Sequence, residues 1–179
     1  MPHLRNRSAA RVAAAGLALA GALVAPLAAA QEIVLPVIGG GFEVASGVEG
    51  GGKGHAAGVR RARTTLRVGG ELGLAETPGP NVGAGLLLEI EPHTSVGADL
   101  RYIHIFGDRF ALHAGALAMF APSTLIGASA GAEVRLRLHR VVSLTAGPTF
   151  QAFFTGSDLP ENNVIWQGLF HVGFNFRLR

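Results

Sequence analysis

The C-terminal stretch of this 179-residue chain decides its fold, and it reads IWQGLFHVGFNFRLR from Ile165 to Arg179. Apolar and aromatic side chains occupy one parity of the stretch, and mostly polar or small ones occupy the other. Successive side chains of a β-strand point to opposite faces, so this alternation predicts a long strand with one apolar face. In a helix the same aromatics would be scattered around the circumference. The apolar parity comprises Trp166, Gly168, Phe170, Val172, Phe174, Phe176 and Leu178.

A strand of this kind needs both a partner strand and an apolar environment for its outer face. Its apolar parity continues to the penultimate residue, Leu178, whereas the termini of most soluble domains fray. A closed β-barrel in lipid meets both needs, because the last strand pairs with the first and the bilayer covers the apolar face. The stretch therefore predicts a transmembrane β-barrel.

Residues 1–30 have the pattern of a secretory signal peptide. A basic region ends at Arg11, an apolar region rich in Ala and Leu runs from Val12 to Ala25, and three alanines end at Ala30. We predict that residues 1–30 are a cleaved signal peptide and that residues 31–179 form one barrel domain. The alternative is an uncleaved membrane anchor, but Pro26 interrupts the run, which is barely long enough to span a bilayer.

Composition excludes several kinds of function. The formal net charge is +3, but without residues 1–30 the twelve remaining Lys and Arg equal the twelve Asp and Glu, so nothing indicates a nucleic-acid partner. There is no cysteine, which excludes disulfides, thiol catalysis and cysteine metal sites. The histidines show no metal-binding spacing. The sequence therefore predicts no cofactor and no metal site.

Turn residues divide the chain after the signal segment into eight predicted strands, each long enough to cross a bilayer. An even number of strands places both termini on one side, the periplasm, so the segments 47–58 and 155–163 are expected outside the cell. The turns at 107–109 and 139–140 are then periplasmic. The predicted strands are Ile33–Ser46, Arg61–Ala75, Val82–Glu91, Ser95–Phe106, Phe110–Phe120, Leu125–Leu138, Val141–Phe154 and Val164–Leu178.

Alternation alone also fits a soluble lipocalin-like barrel, in which the apolar face lines a ligand cavity. The single lysine, the glycines among the polar positions and the aromatics near strand ends favour lipid outside instead. The aromatics expected at the two rims are Phe106, Phe110, Phe174 and Phe176, and Phe120, Phe153, Phe154 and Trp166. The residues predicted to face lipid include Leu66, Leu72, Leu86, Leu88, Val134, Leu136, Phe170 and Val172.

The opposite parity places charges of both signs in a narrow lumen. Unpaired charges are costly there, so we predict a network of salt bridges that fills the barrel. The polar face holds Arg61, Arg63, Arg67, Glu71, Glu89, Glu91, Asp99, Arg101, Glu133, Arg135, Arg137, Gln151, His171 and Arg177. The predicted network within it is Arg67, Glu71, Glu89, Asp99, Arg101, Glu133, Arg135, Arg137 and His171.

The run His171-Val172-Gly173-Phe174-Asn175-Phe176-Arg177-Leu178 carries a family resemblance. It resembles the C-terminal signal of bacterial outer-membrane barrels, with Leu178 where an aromatic is usual and Arg179 after it. Over residues 31–179 the chain looks like a small barrel of the OmpA/OmpX kind. The resemblance implies location in the outer membrane of a Gram-negative cell, and recognition by the barrel-assembly machinery during insertion.

These observations favour a structural or surface-interaction role over a catalytic one. A lipid-modifying enzyme or a narrow, porin-like channel is the alternative, and a soluble ligand-binding barrel is a further one. His113, His171, Ser129 and Ser143 share the polar parity, and a Ser–His pair can act as nucleophile and base. In the lipid A deacylase among small outer-membrane barrels a Ser follows a His by two places, whereas here glycine follows both histidines at that distance. We therefore expect no enzyme activity, outer-membrane lipid as the partner, and a surface ligand that the sequence leaves open.

Overall fold

The computed structural model describes residues 37–51, 58–62, 64–74, 78–90, 94–107, 109–157, 159 and 163–178, and the predicted signal peptide lies outside them. None of these segments forms a helix that is long and apolar enough to cross a membrane. They form nine β-strands: β1 Ile38–Gly51, β2 Gly58–Arg61, β3 Thr64–Gly73, β4 Pro80–Ile90, β5 Ser95–Phe106, β6 Phe110–Ala121, β7 Leu125–Arg137, β8 Val142–Gly156 and β9 Ile165–Leu178.

The strands close into a barrel because the first strand pairs with the last. Strands β3 to β9 follow one another as antiparallel neighbours, and β1 joins β3 on one edge and β9 on the other. The pairing of β1 with β9 runs from Ile38 opposite Leu178 to Gly51 opposite Ile165. This confirms the predicted closure. The first strand is shifted from the prediction, however, because residues 47–51 continue the pairing with β9 instead of starting a loop.

Strands β2 and β3 are two parts of a single barrel strand, so the barrel has eight strands as predicted. Ala45 of β1 lies opposite Thr65, and Val48 lies opposite Arg61, which leaves one extra residue on the second strand between these pairs. Such a β-bulge reverses the alternation beyond it. Arg61 is therefore exposed, and its prediction as an inward-facing residue was wrong.

Apolar side chains cover the outside of the barrel, and polar ones line the inside. On β4, Leu86 is 69% exposed, whereas its neighbour Leu87 is 3% exposed because it points into the lumen. All eight residues predicted to face lipid lie on the outer face, with Leu66 half-buried between its neighbours. A water-soluble barrel would have the opposite arrangement, so the outer face requires lipid.

The aromatic rims agree with the prediction except at one residue. Phe106, Phe110 and Phe176 are exposed near one end, and Phe120 and Phe154 near the other. Phe153 is 1% exposed and packs inside the lumen, so its prediction as a rim residue was wrong. Strand β8 continues to Gly156, and within it Phe153 shares the inward parity of Thr149 and Gln151.

An arginine in the middle of the outer face tests which surface contacts lipid. Leu86→Arg is expected to lower the free energy of unfolding in bilayers by about 2–4 kcal/mol, because a charge would lie near the bilayer midplane. Leu138→Arg, at a position that is also exposed but lies beyond the end of β7, should cost only about 0–1 kcal/mol. Urea titration of the barrel in lipid vesicles measures both, and equal costs would contradict a lipid-facing exterior.

Candidate functional site: the luminal charge network

The lumen has two chemically different ends. We call the end with the β5–β6 and β7–β8 turns the turn end, and the end where β1, β4, β6 and β8 finish the loop end. The charged side chains inside form two clusters along the barrel axis. The central cluster contains Glu43, Arg67, Asp99 and Arg101, and the turn-end cluster contains Glu71, Glu133 and Arg135.

In the central cluster, two arginines and two carboxylates contact one another in a closed ring. Arg67 Nε donates to the two carboxylate oxygens of Asp99 at 3.0 and 2.9 Å, and its Nη1 lies 3.4 Å from Glu43 Oε1. Arg101 Nη1 donates to Glu43 Oε2 at 3.0 Å, and its Nε forms an ion pair with Asp99. Each charge therefore has two partners of opposite sign, which offsets the cost of removing it from water.

A glycine makes room for this ring. Gly85 lies opposite Asp99 on the neighbouring strand, and the Arg67 side chain passes over it. A Cβ atom at Gly85 would lie 2.7 Å from Asp99 Oδ1 and 2.8 Å from Arg67 Nε, closer than such contacts occur. An eight-stranded barrel is only just wide enough for side chains to fill, so long arginines need small neighbours.

The turn-end cluster centres on Arg135. Its Nη1 and Nη2 donate to the two oxygens of Glu71 at 3.2 and 3.0 Å, and its Nε donates to Glu133 at 2.6 Å. Two parallel donors to one carboxylate give the strong bidentate geometry that arginine favours. Asn175 Nδ2 also donates to Glu71 at 2.9 Å. This cluster crosses the lumen, because Glu71 lies on β3, Glu133 and Arg135 lie on β7, and the contacting Asn175 lies on β9.

A line of polar side chains continues from the turn-end cluster. His171 Nε2 lies 3.5 Å from Glu133 Oε2, and His171 Nδ1 lies 3.1 Å from the Thr149 hydroxyl. The same hydroxyl lies 3.3 Å from His113 Nε2. A carboxylate, an imidazole and a hydroxyl in this order are the groups of a hydrolytic triad. All four side chains are buried, however, and the cavity beside Thr149 and His171 measures only about 10 Å³.

Apolar side chains form two buried clusters in the lumen. One lies between the central cluster and the loop end and contains Leu87, Leu117, Met119 and Phe153. The other lies toward the turn end and contains Ile103, Ile105 and Ala111. The cavity beside Arg67, Thr149 and His171 measures about 10 Å³, which is enough for roughly one water molecule. A second cavity of about 20 Å³ lies at the turn end beside Arg135 and Arg177.

The loop end carries a separate ion pair. Glu49 is buried, and Arg60 Nε donates to it at 2.8 Å while most of the Arg60 side chain remains exposed. Gln167 Nε2 donates to the other oxygen of Glu49 at 2.8 Å. The β-bulge between Arg61 and Thr65 brings Arg60 opposite Glu49, which is why Arg60, and not Arg61, meets this carboxylate.

The structure brings together most of the residues that the sequence placed in the network. Arg67, Asp99 and Arg101 lie in the central cluster, Glu71, Glu133 and Arg135 lie in the turn-end cluster, and His171 contacts Glu133. Glu89 is buried on β4 toward the loop end. Arg137 lies elsewhere: it is the last residue of β7, is exposed at the rim and donates to the Arg140 carbonyl oxygen at 3.5 Å. The prediction of Arg137 as a luminal residue was therefore wrong.

Three luminal residues were absent from the predicted network. Glu43 bridges the two central arginines, Glu49 binds Arg60, and Thr149 joins the two histidines. The alternation of the first strand contained the signal for Glu43, which lies between the outward-facing Phe42 and Val44. Among the described residues, no three His, Asp or Glu side chains come together as metal ligands could.

Comparison with known proteins agrees with this architecture. No protein-family model and no curated protein matches the sequence. Neisserial surface protein A has a similar structure, with 13% identity and a TM-score of 0.50 over 80% of this chain and 97% of that one. The N-terminal barrel domain of Pseudomonas aeruginosa OprF gives 15% identity and a TM-score of 0.47 over 76% and 99%. Ail of Yersinia pestis gives 11% identity and a TM-score of 0.47 over 80% and 97%.

The chain thus has the fold of the small outer-membrane β-barrels. Its apolar outer face requires a bilayer around it.

Removal of one charge from the central cluster tests whether the lumen depends on paired charges. Asp99→Asn leaves Arg67 and Arg101 with only Glu43, and we expect the free energy of unfolding to fall by about 3–5 kcal/mol. Arg137→Gln removes an exposed rim charge and should change it by less than about 0.5 kcal/mol. Urea titrations in the same vesicles compare the two, and a similar small effect of both would show that the cluster is unimportant for stability.

Proposed function

We propose that this protein is a closed outer-membrane barrel with a structural or surface-interaction role, and that its lumen is filled by the charge network. The main support for the proposal is that packed side chains fill the lumen at successive positions along the barrel axis. The Glu49–Arg60 pair, the Leu87 and Phe153 cluster, and the central and turn-end clusters follow one another along the axis. A barrel with such an interior serves as an anchor for what it presents at its ends.

The small size of the cavities argues against a channel. A conducting pore needs a continuous polar path, and the two cavities described in the lumen measure about 10 and 20 Å³ and share no lining residue. The ion pairs reinforce this closure, because the arginines contact carboxylates on other strands instead of lining a water-filled passage.

Burial of Thr149 argues against a lipid-modifying enzyme. The Glu133–His171–Thr149 line has the groups for acyl transfer, but the hydroxyl lies inside the barrel and Thr149 is 5% exposed. A cavity of about 10 Å³ cannot admit an acyl chain or a sugar headgroup. We assign these hydrogen bonds to the polar filling of the lumen, where the hydroxyl contacts one ring nitrogen of each of two buried imidazoles.

Interaction with other molecules would then occur at the barrel ends. The loop-end connections between β1 and β2, β4 and β5, β6 and β7, and β8 and β9 would face the outside of the cell. Strand β9 carries the terminal signal, from His171 to Leu178, that the barrel-assembly machinery would recognise during insertion. Outer-membrane lipid is the partner of the outer face.

Conductance measurement tests whether the lumen is closed. Purified barrel inserted in a planar bilayer with concentrated potassium chloride should give no current steps above the bare bilayer. Measurable steps are expected from the variant Arg67→Ala/Asp99→Ala/Leu117→Ala/Phe153→Ala, which empties two levels of the lumen. Because Arg67 and Asp99 are removed together, Arg67 is not left without its carboxylate partner.

Leu112→Ala/Phe150→Ala is the matched control, since both residues are exposed on the outer face. This variant should remain as silent as the wild type. Regular current steps from the wild-type barrel would contradict the closed lumen and favour the narrow channel.

Epitope insertion tests the presentation of the loop end. A tag placed within residues 52–57 should be labelled by antibody on intact cells, because that connection is at the loop end. The same tag placed in the β7–β8 turn, between Leu138 and Val142, should be labelled only after the outer membrane is permeabilised. The reverse pattern would overturn the proposed orientation.

A further inference from the structure

Charge is distributed unequally between the inside and the outside of the barrel. Every carboxylate that the structure describes lies in the lumen and is buried or half-buried: Glu43, Glu49, Glu71, Glu89, Asp99 and Glu133. The exposed charged side chains of the described residues are all arginines: Arg60 and Arg61 at the loop end, and Arg109, Arg137 and Arg140 at the turn end. The described outer rim therefore has positive charge and no carboxylate of its own.

The three turn-end arginines are held at the rim by the backbone of two neighbouring turns. The carbonyl oxygen of Arg109, in the β5–β6 turn, accepts a hydrogen bond from the Arg135 amide at 2.6 Å. The Leu138 and His139 amides both donate to the Val142 carbonyl oxygen at 3.0 Å, which fixes the β7–β8 turn between Arg137 and Arg140. The three arginines therefore lie in or beside hydrogen-bonded turns at the same end of the barrel.

The same rim is apolar immediately on its membrane side. Phe106, Phe110, Leu136, Leu138 and Leu178 are all exposed there, each by 48% or more. A boundary at which an apolar belt meets a row of cations is where the phosphate groups of a lipid leaflet lie. Guanidinium groups bind phosphate oxygens through two parallel hydrogen bonds, so arginine is well suited to this contact.

We propose that Arg109, Arg137 and Arg140 form a binding collar for the phosphate headgroups of anionic phospholipids in the leaflet at the turn end. This inference rests on the proposed lipid-embedded barrel and adds a lipid preference to it. The loop-end arginines differ, because Arg60 is already paired with Glu49. Each basic residue near an anionic surface contributes a factor of about five in affinity, so the collar should favour anionic over zwitterionic lipid by at least about tenfold.

Lipid selectivity measured by electron paramagnetic resonance tests the collar. The full barrel is reconstituted in phosphatidylcholine vesicles with spin-labelled phosphatidylglycerol or spin-labelled phosphatidylcholine, and the relative association constant is measured. Arg109→Gln/Arg137→Gln/Arg140→Gln should reduce the preference for phosphatidylglycerol by about tenfold. Arg61→Gln, a control at the loop end that leaves the Glu49–Arg60 pair intact, should retain most of it. Unchanged selectivity in the turn-end variant, or an equal loss in both variants, would overturn the proposal.

Two further measurements separate the possible causes of failure. Heat-modifiability gels show whether the wild type and each variant are folded barrels. If the wild type itself is not a folded barrel, the proposed function is refuted together with the collar. Titration of inorganic phosphate into barrels in neutral lipid tests for a soluble anion instead. Saturable phosphate binding that the turn-end substitutions abolish, without any lipid selectivity, would replace the phospholipid as the ligand.

Discussion

The structure depends on one constraint, which is that a carboxylate or guanidinium cannot face the hydrocarbon of a bilayer. All six described carboxylates accordingly point into the barrel, and Arg67, Arg101 and Arg135 meet them there. Once inside, a charge must be paired, because the narrow interior holds little water to solvate it. The ring of Arg67, Asp99, Arg101 and Glu43 satisfies this requirement with four residues from β1, β3 and β5.

Space is the second limit, and glycine relieves it. Gly85 on β4 leaves room for the Arg67 side chain to cross this strand and reach Asp99 on β5. Gly131 accommodates the His113 ring, because a Cβ added at Gly131 would lie 2.6 Å from His113 Nε2. In both places a large luminal side chain lies against a glycine of a neighbouring strand. This arrangement explains why a glycine-rich sequence forms a filled barrel and not an open one.

Under the proposed function, a filled lumen leaves the two rims and the outer face as the surfaces that contact other molecules. The rims differ in chemistry: the loop end holds a buried carboxylate that binds one exposed arginine, whereas the turn end exposes arginines beside an apolar belt. The polar line through His171 and Thr149 resembles a catalytic arrangement in its groups alone. All of its members are buried inside the barrel, and under the proposed function they belong to the interior packing.

The sequence by itself determined the all-β class, the closure of the first strand on the last, and the parity that faces lipid, because alternation with a period of two is local and directly readable. Most of the charged residues that it predicted for the lumen are buried or half-buried in the structure. Only the tertiary structure decided which charges pair, since Glu43, Arg67 and Asp99 meet across strands that are distant in the chain. The tertiary structure also placed the β-bulge between Arg61 and Thr65, which exposes Arg61, and the extended pairing of β8, which buries Phe153. An alternating pattern does not show where a single extra residue shifts the register, and that register is fixed by the hydrogen bonds of the neighbouring strand.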